Sequence, residues 1–367
     1  MVALVKFIFL ILLFGCGQRQ LPEAPYRARI IASVGGNYVA KVVDYTYLND
    51  VVHMRGSIGE IKGHAKVNLN ADYDDVVATG NTDQLYKTVG NSVELNFHLE
   101  SNVIIPNDMA SMEMLGLYYG YEQTISFWQK EFDLDLDVSG KPVLHFNPEL
   151  AYTSSQEQTV GTQKMNAAFF STAGDFLFYK TSDQEEIPIK MNYGIIAHEF
   201  GHYVFHLRFA NNDDSVYKLA NGKTTEIDGI NEGVADFLSY VVTGSVNEFE
   251  KSLPALGEQR SMPVSWTYSS LMLASCYGSY YCKGSILASA LHEAAQTLGG
   301  VPVAQLIWDA LPYFKEDWRN YGTTSGFDYD YFLNRIVEQG SASQKITLCA
   351  SFKKWFDKSS IVLGDCS

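Results

Sequence analysis

The chain has 367 residues, enough for roughly two or three compact units. Apolar residues make up 46% and aromatic residues 13%, with 23 Tyr and 21 Phe, which excludes a disordered chain and supplies ample core. The formal net charge of -15 excludes a nucleic-acid binder working through a basic surface.

The N-terminus reads as a targeting segment. Lys6 precedes the apolar run Phe7 to Phe14, which is too short to span a bilayer as a helix. The run ends in Leu13-Phe14-Gly15-Cys16. This resembles a bacterial lipoprotein signal, in which the chain is cut before the Cys and that Cys is lipidated. The resemblance implies a signal over 1–16, lipidation at Cys16 and a lipid anchor in a membrane. An ordinary secretory signal is the alternative, and either implies export to the cell envelope, facing periplasm or exterior. No other apolar run is long enough for a transmembrane helix. Residues 17–25 read as a tether.

From 26 to 105 the pattern is β. Arg29–Val34, Tyr38–Tyr47, Val52–Ile58, Ala65–Leu69 and Val93–Leu99 are short alternating or β-branched runs between Gly and Asn/Asp turns. They predict a small antiparallel β module without a catalytic signature. A pro-domain, a docking module and a brace for the enzyme are all open. Pro106-Asn107 marks a boundary, and Asp108–Phe132 predicts a helix with Leu117, Tyr118, Tyr121, Ile125 and Trp128 on one side. Lys141–Phe146 is a strand candidate. Met165–Tyr179, with a Gly174-Asp175 turn, predicts a hairpin.

Tyr193–Phe209 predicts a helix capped by Asn192, with Asn211-Asn212 as its stop. It carries His198-Glu199-Phe200-Gly201-His202, an H-E-x-x-H motif. Residues four apart share a helix face, so His198 and His202 can offer two imidazoles to one metal ion. Glu199 stands beside them as a candidate general base. Gly201 is a poor helix former, so something other than propensity places it there. Position 208 is Arg208, which removes the third histidine of a metzincin. His206 lies a full turn, about 6 Å, beyond His202 and reads as a packing residue or as one that supports a ligand from behind. In Asn231-Glu232-Gly233-Val234-Ala235-Asp236, Glu232 and Asp236 are four apart on a second helix. Glu232 would complete a His-His-Glu site, and Asp236 would accept the other ring N–H of His198.

H-E-x-x-H followed by N-E-x-x-A-D resembles the gluzincins, and within them the thermolysin-like metallopeptidases, over roughly residues 106 to 300. The loop from His202 to Glu232 is about ten residues longer than in the family, a length change that costs little. The resemblance implies one zinc, peptide substrates and further site residues. Asn166-Ala167 matches the edge strand that pairs with extended substrate. Glu258–Pro263 resembles the R-S-M stretch, which makes Arg260 a candidate clamp on a substrate carbonyl. Tyr280 stands where the family has a His that steadies the oxyanion, so Tyr280 or Tyr281 is the candidate donor. Aminopeptidases of the group carry G-x-M-E-N for a free amine, which is missing here.

The helices after Asp236 are Ser285–Leu298, Val303–Phe314, Tyr329–Glu338 and Ile346–Phe356, with His292 as packing. Cys276, Cys282, Cys349 and Cys366 suit disulfides in an exported chain; Cys276–Cys282 with Cys349–Cys366 is the sequence-local choice among three connectivities. No C-x-x-C pair, repeat, Walker loop or G-x-S-x-G elbow occurs. The expected fold is α+β: a zincin-type domain over 106–367, with a mixed sheet, an active-site helix and a helical C-terminal subdomain, preceded by the β module over 26–105. The expected function is zinc-dependent endopeptidase. A gluzincin exopeptidase and an inactive surface or periplasmic binding lipoprotein on the same fold are the alternatives.

Overall fold

The computed structural model describes residues 21–34, 36–69, 90–134, 141–153, 158–159, 167–170, 174–179, 185–210, 216, 224–247, 249–254, 259–274, 276–322, 324, 327–358 and 360–366. The 1–16 segment with Cys16, Asn166 and Asn211-Asn212 lie outside the described residues.

The strands are β1 (Tyr26–Val34), β2 (Asn37–Tyr45), β3 (Leu48–Asp50), β4 (Arg55–Gly56), β5 (Glu60–Gly63), β6 (Lys66–Leu69), β7 (Asn91–Ser92), β8 (Phe97–Glu100), β9 (Val103–Pro106), β10 (Val143–Phe146), β11 (Glu149–Thr153), β12 (Gln158–Thr159), β13 (Ala167–Phe170) and β14 (Asp175–Phe178). The helices are α1 (Met109–Phe132), α2 (Tyr193–Phe209), α3 (Thr224–Thr243), α4 (Tyr280–Leu298), α5 (Gly300–Tyr321), α6 (Asp330–Gln339) and α7 (Ala342–Trp355). The order, strands first and helices after, is α+β. None of the described helices is long and apolar enough to cross a membrane.

One sheet has the order β2-β1-β9-β8, a second β13-β14-β10-β5-β4-β3 with β7 also on β5, and a third β12-β11-β6. The second sheet is mixed. β14 and β5 flank β10 in parallel, while β13 returns on β14 as an antiparallel hairpin with Phe170 opposite Asp175. Among the described residues, that hairpin leaves β13 as an edge strand.

The all-antiparallel module expected over 26–105 does not form. β9 lies parallel to β1, with Ala28 opposite Ile104, and β5 pairs with β10, so sheet pairing crosses position 106. The reason is length. β3, β4 and β5 have 3, 2 and 4 residues, too few to hold as a sheet of their own. The strand expected at Val52–Ile58 shrinks to Arg55–Gly56, because residues 51–54 form a turn with Met54 at φ 51°. The one expected at Val93–Leu99 begins only at Phe97.

The Asp108 side chain accepts from Ser111 N–H and starts α1, whose Leu117, Tyr118, Tyr121, Ile125 and Trp128 are buried as the periodicity predicts. Tyr121, Phe176 and Phe200 knit α1, the mixed sheet and α2. The Phe176 and Phe200 rings stack 6.2 Å apart and Tyr121 meets Phe176 edge-on at 5.5 Å. Each fully buried Phe contributes about 1.5–3 kcal/mol of transfer free energy. Behind α2, helices α3 to α7 build the C-terminal half around Leu287, Leu291, Ile307, Phe314 and Leu333. Disulfides join Cys276 to Cys282 and Cys349 to Cys366.

Candidate functional site

Helix α2 begins where the sequence cap predicts. Asn192 Oδ1 accepts from the N–H of Gly194 at 3.0 Å and of Ile195 at 3.3 Å. Ile195, Ile196, Phe200 and Val204 are buried, which fixes the helix rotation. His198, Glu199 and His202 then face α3.

Close helix contact explains Gly201. A Cβ there would sit 2.8 Å from Ala235 Cα on α3, so only glycine lets the two helices approach this far. A Cβ on Gly233 would likewise meet Gly284 O of α4 at 2.4 Å. Three helices are thus drawn together by residues without side chains, and this spacing brings Glu232 to the histidines.

His198 Nε2 lies 3.5 Å from Glu232 Oε2, and His202 Nε2 lies 3.7 Å from Glu232 Oε1. One ligand atom from each of the three falls within 4.8 Å of the others, the distance range a single ion can bridge. The other ring nitrogens are occupied. His202 Nδ1 is 3.1 Å from Asn231 Oδ1, and His198 Nδ1 is 3.0 Å from Asp236 Oδ1. The second contact lies off the hydrogen-bond axis. Each Nδ1 facing an oxygen leaves an Nε2 lone pair for a metal, so the donor set fits one. Among the described residues this is the one group of three such side chains placed to hold an ion. The role of Asn231 is not readable from the motif spacing alone. Its signal was its place one residue before Glu232.

Charge in the site is tightly balanced. Burial and the Arg260 guanidinium oppose protonation of His198, but the contacts to Asp236 and Glu232 outweigh them and carry its pKa up to about 9. Burial pushes Glu232 up, yet Arg260 and the two imidazoles hold its carboxyl far below the ordinary range. Glu199, 5% exposed, is pushed up by burial against the pull of His198 and His202. That shift suits a base, because it strengthens the hold on a proton.

Arg260 takes contacts that the sequence did not predict. It is 6% exposed, with Nη2 at 2.6 Å from both Glu232 Oε2 and Asp236 Oδ1, and Nε donating to Asp236 Oδ2 at 3.1 Å. Its guanidinium lies over the Phe249 ring at 4.4 Å and the Tyr281 ring at 5.0 Å. It holds the two acids of α3, and its closeness to them could be found only in three dimensions.

Edge strand β13 reaches Glu199 directly. The N–H of Phe169 donates to Glu199 Oε2 at 2.8 Å. Ala167, two positions earlier on the same strand, is 5% exposed. Tyr280 and Tyr281 open α4 behind the Ser279 cap. Their rings are 4.3 Å apart, and Tyr280 Oη donates to Tyr281 Oη at 3.1 Å. Burial first, then neighbouring groups, pushes the Tyr280 phenol up, while burial and Glu232 push Tyr281 up against the pull of Tyr280 and Arg260, so both keep their protons and can donate. His206 is buried with its ring 5.8 Å from Phe169. His292 stacks edge-on with Tyr240 in the helical half.

No family model and no curated protein matches the chain. Among solved structures it is similar to the precursor of protealysin, a metalloproteinase from Serratia proteamaculans. The identity is 13%, the match covers 80% of this chain and 87% of that one, and the TM-score is 0.47. A likeness this distant leaves the side-chain geometry as the basis for function.

Proposed function

We propose that the protein is a zinc-dependent peptidase, cutting within extended peptides. The observation that carries this reading is the convergence of His198, His202 and Glu232 within 4.8 Å, with Glu199 on the next helical position. Two imidazoles and one carboxylate, with room for a water, are the ligand set of a catalytic zinc. When bound, zinc would polarise the scissile carbonyl and acidify a water. Glu199 takes the proton of the attacking water and delivers it to the leaving amine. Asp236 and Asn231 orient the imidazoles. Arg260 keeps Glu232 ionised and grips Asp236 through two hydrogen bonds, and its Nη1 is the nitrogen left over to meet a substrate carbonyl. Tyr280 commits its proton to Tyr281, so Tyr281 is the phenol that offers an O–H to the oxyanion. The outer edge of β13 around Ala167, with Asn166 before it, supplies backbone groups to align an extended peptide. This arrangement favours an endopeptidase.

Two disulfides support an exported protein. Its N-terminal segment would anchor it to a membrane through a lipid on Cys16.

Glu199→Gln tests the central step. The variant is expected to keep its metal and lose turnover of peptides by about a hundredfold to ten-thousandfold. Full turnover in that variant would remove the base from the mechanism.

A further inference from the structure

The cap of the metal helix is a junction of four chain segments. Asn192 Oδ1 serves the first amides of α2, while its Nδ2 donates to Ser252 Oγ at 2.8 Å, and Ser252 Oγ donates to Ile187 O at 2.6 Å. The fourth arm comes from the far end of the sequence. Tyr38 Oη, on β2, donates to Asn192 Oδ1 at 3.0 Å and accepts from Tyr193 N–H at 3.1 Å. The Lys251 ammonium stands 5.6 Å over the Tyr38 ring.

The junction leads to the ligands by two short routes. Along α2, Gly194 O accepts from Ser239 Oγ of α3 at 2.8 Å, which ties the first turn of the metal helix to the helix that carries Glu232. Through Ser252, the junction holds the 249–252 turn, where Ser252 N and Leu253 N both donate to Phe249 O. The Phe249 ring lies 5.2 Å from that of His198 and under the Arg260 guanidinium. The hairpin that brings Tyr38 is itself held firmly. Tyr45 Oη donates to Leu115 O of α1 at 2.9 Å, and the Glu122 carboxylate accepts from Thr46 N–H at 2.6 Å and Tyr47 N–H at 3.3 Å.

We propose that Tyr38 is a positioning residue for the metal site, and that the β1–β2 hairpin is therefore a working part of the enzyme. The inference rests on the peptidase reading for its consequence, but the tie itself can be measured without it. Its strength comes from the double role of the hydroxyl. It is at once donor to the cap and acceptor for the first amide of α2, so its loss removes one contact from each of two groups at a single helix end.

Tyr38→Phe is the diagnostic change, because it keeps the ring and removes only the hydroxyl. Val39→Thr, at an exposed neighbour on the same strand, is the control. Two readouts are taken on the full chain: hydrogen exchange of the amides from 193 to 198, and zinc affinity by competition with a chelator. Tyr38→Phe is expected to speed exchange at the start of α2 and to weaken zinc about threefold to tenfold, below the effect of losing a direct ligand partner. Val39→Thr should match wild type in both. Unchanged exchange overturns the tie. Faster exchange with wild-type zinc affinity overturns the positioning role and leaves the hairpin as a brace alone. Should the wild type bind no zinc, the peptidase reading fails, while the exchange result still decides the tie.

Discussion

Asp228 sits four residues before Glu232 on α3, on the side of the helix that meets Tyr280, and it is a carboxylate in an anionic neighbourhood. Burial, then the charges of Glu232 and Glu226, push its pKa up from the ordinary 3.8 to about 7. A carboxyl with a raised folded pKa favours the fold most below about pH 4, and that contribution is lost as pH rises towards 7. Asp228→Asn cannot ionise. In metal-free protein it is expected to raise the melting temperature at pH 8 and to leave it near wild type at pH 4, read by thermal melts at both values. An equal shift at the two pH values would show that the fold does not raise the pKa of this carboxyl. At this scale, much of the site was legible in the sequence. His198, Glu199, His202, Glu232 and Asp236 could be found because i, i+4 spacing on a helix fixes which side chains share a face. Asn231 and the carboxylate contacts of Arg260 could not, since their partners lie 24 to 29 residues away and spacing does not give side-chain direction across that gap.

Helices were the legible elements. Periodicity placed α1 within one residue of its observed start, and the Asn192 cap placed the start of α2. Short strands were not legible, because β4 and β7, of two residues each, have no period to read. Gly201 stood out in the sequence as a poor helix former, and the reason lies in the α2–α3 contact, where a Cβ would come 2.8 Å from Ala235 Cα. Gly201→Ala gains helix propensity of about 1 kcal/mol, yet must push apart backbone, an overpacking cost of about 1–3 kcal/mol. The net expectation is lower stability and weaker metal binding, because Glu232 moves away with α3. Denaturant melts and chelator competition check this. A stabilised variant with unchanged metal affinity would mean that the helices do not depend on that contact.

For the whole molecule, the sequence pointed to α+β and to a helical C-terminal half, and both are present. It did not reveal that β5 pairs with β10, some eighty positions further on, because parallel pairing at that range is chosen by the assembled core and not by local pattern. The consequence is that the N-terminal strands and the half that carries the His198, His202 and Glu232 cluster share one sheet, and the candidate site is built on a frame that includes both. All of this converges on one point in space, where two imidazoles of α2 meet one carboxylate of α3. Metal content of the purified chain, wild type against Glu232→Ala, tests that convergence most directly. The account predicts about one tightly held zinc per wild-type chain and its loss, or at least a hundredfold weaker hold, in the variant. A wild type that takes up no divalent metal, or a variant that keeps zinc at wild-type affinity, would contradict it.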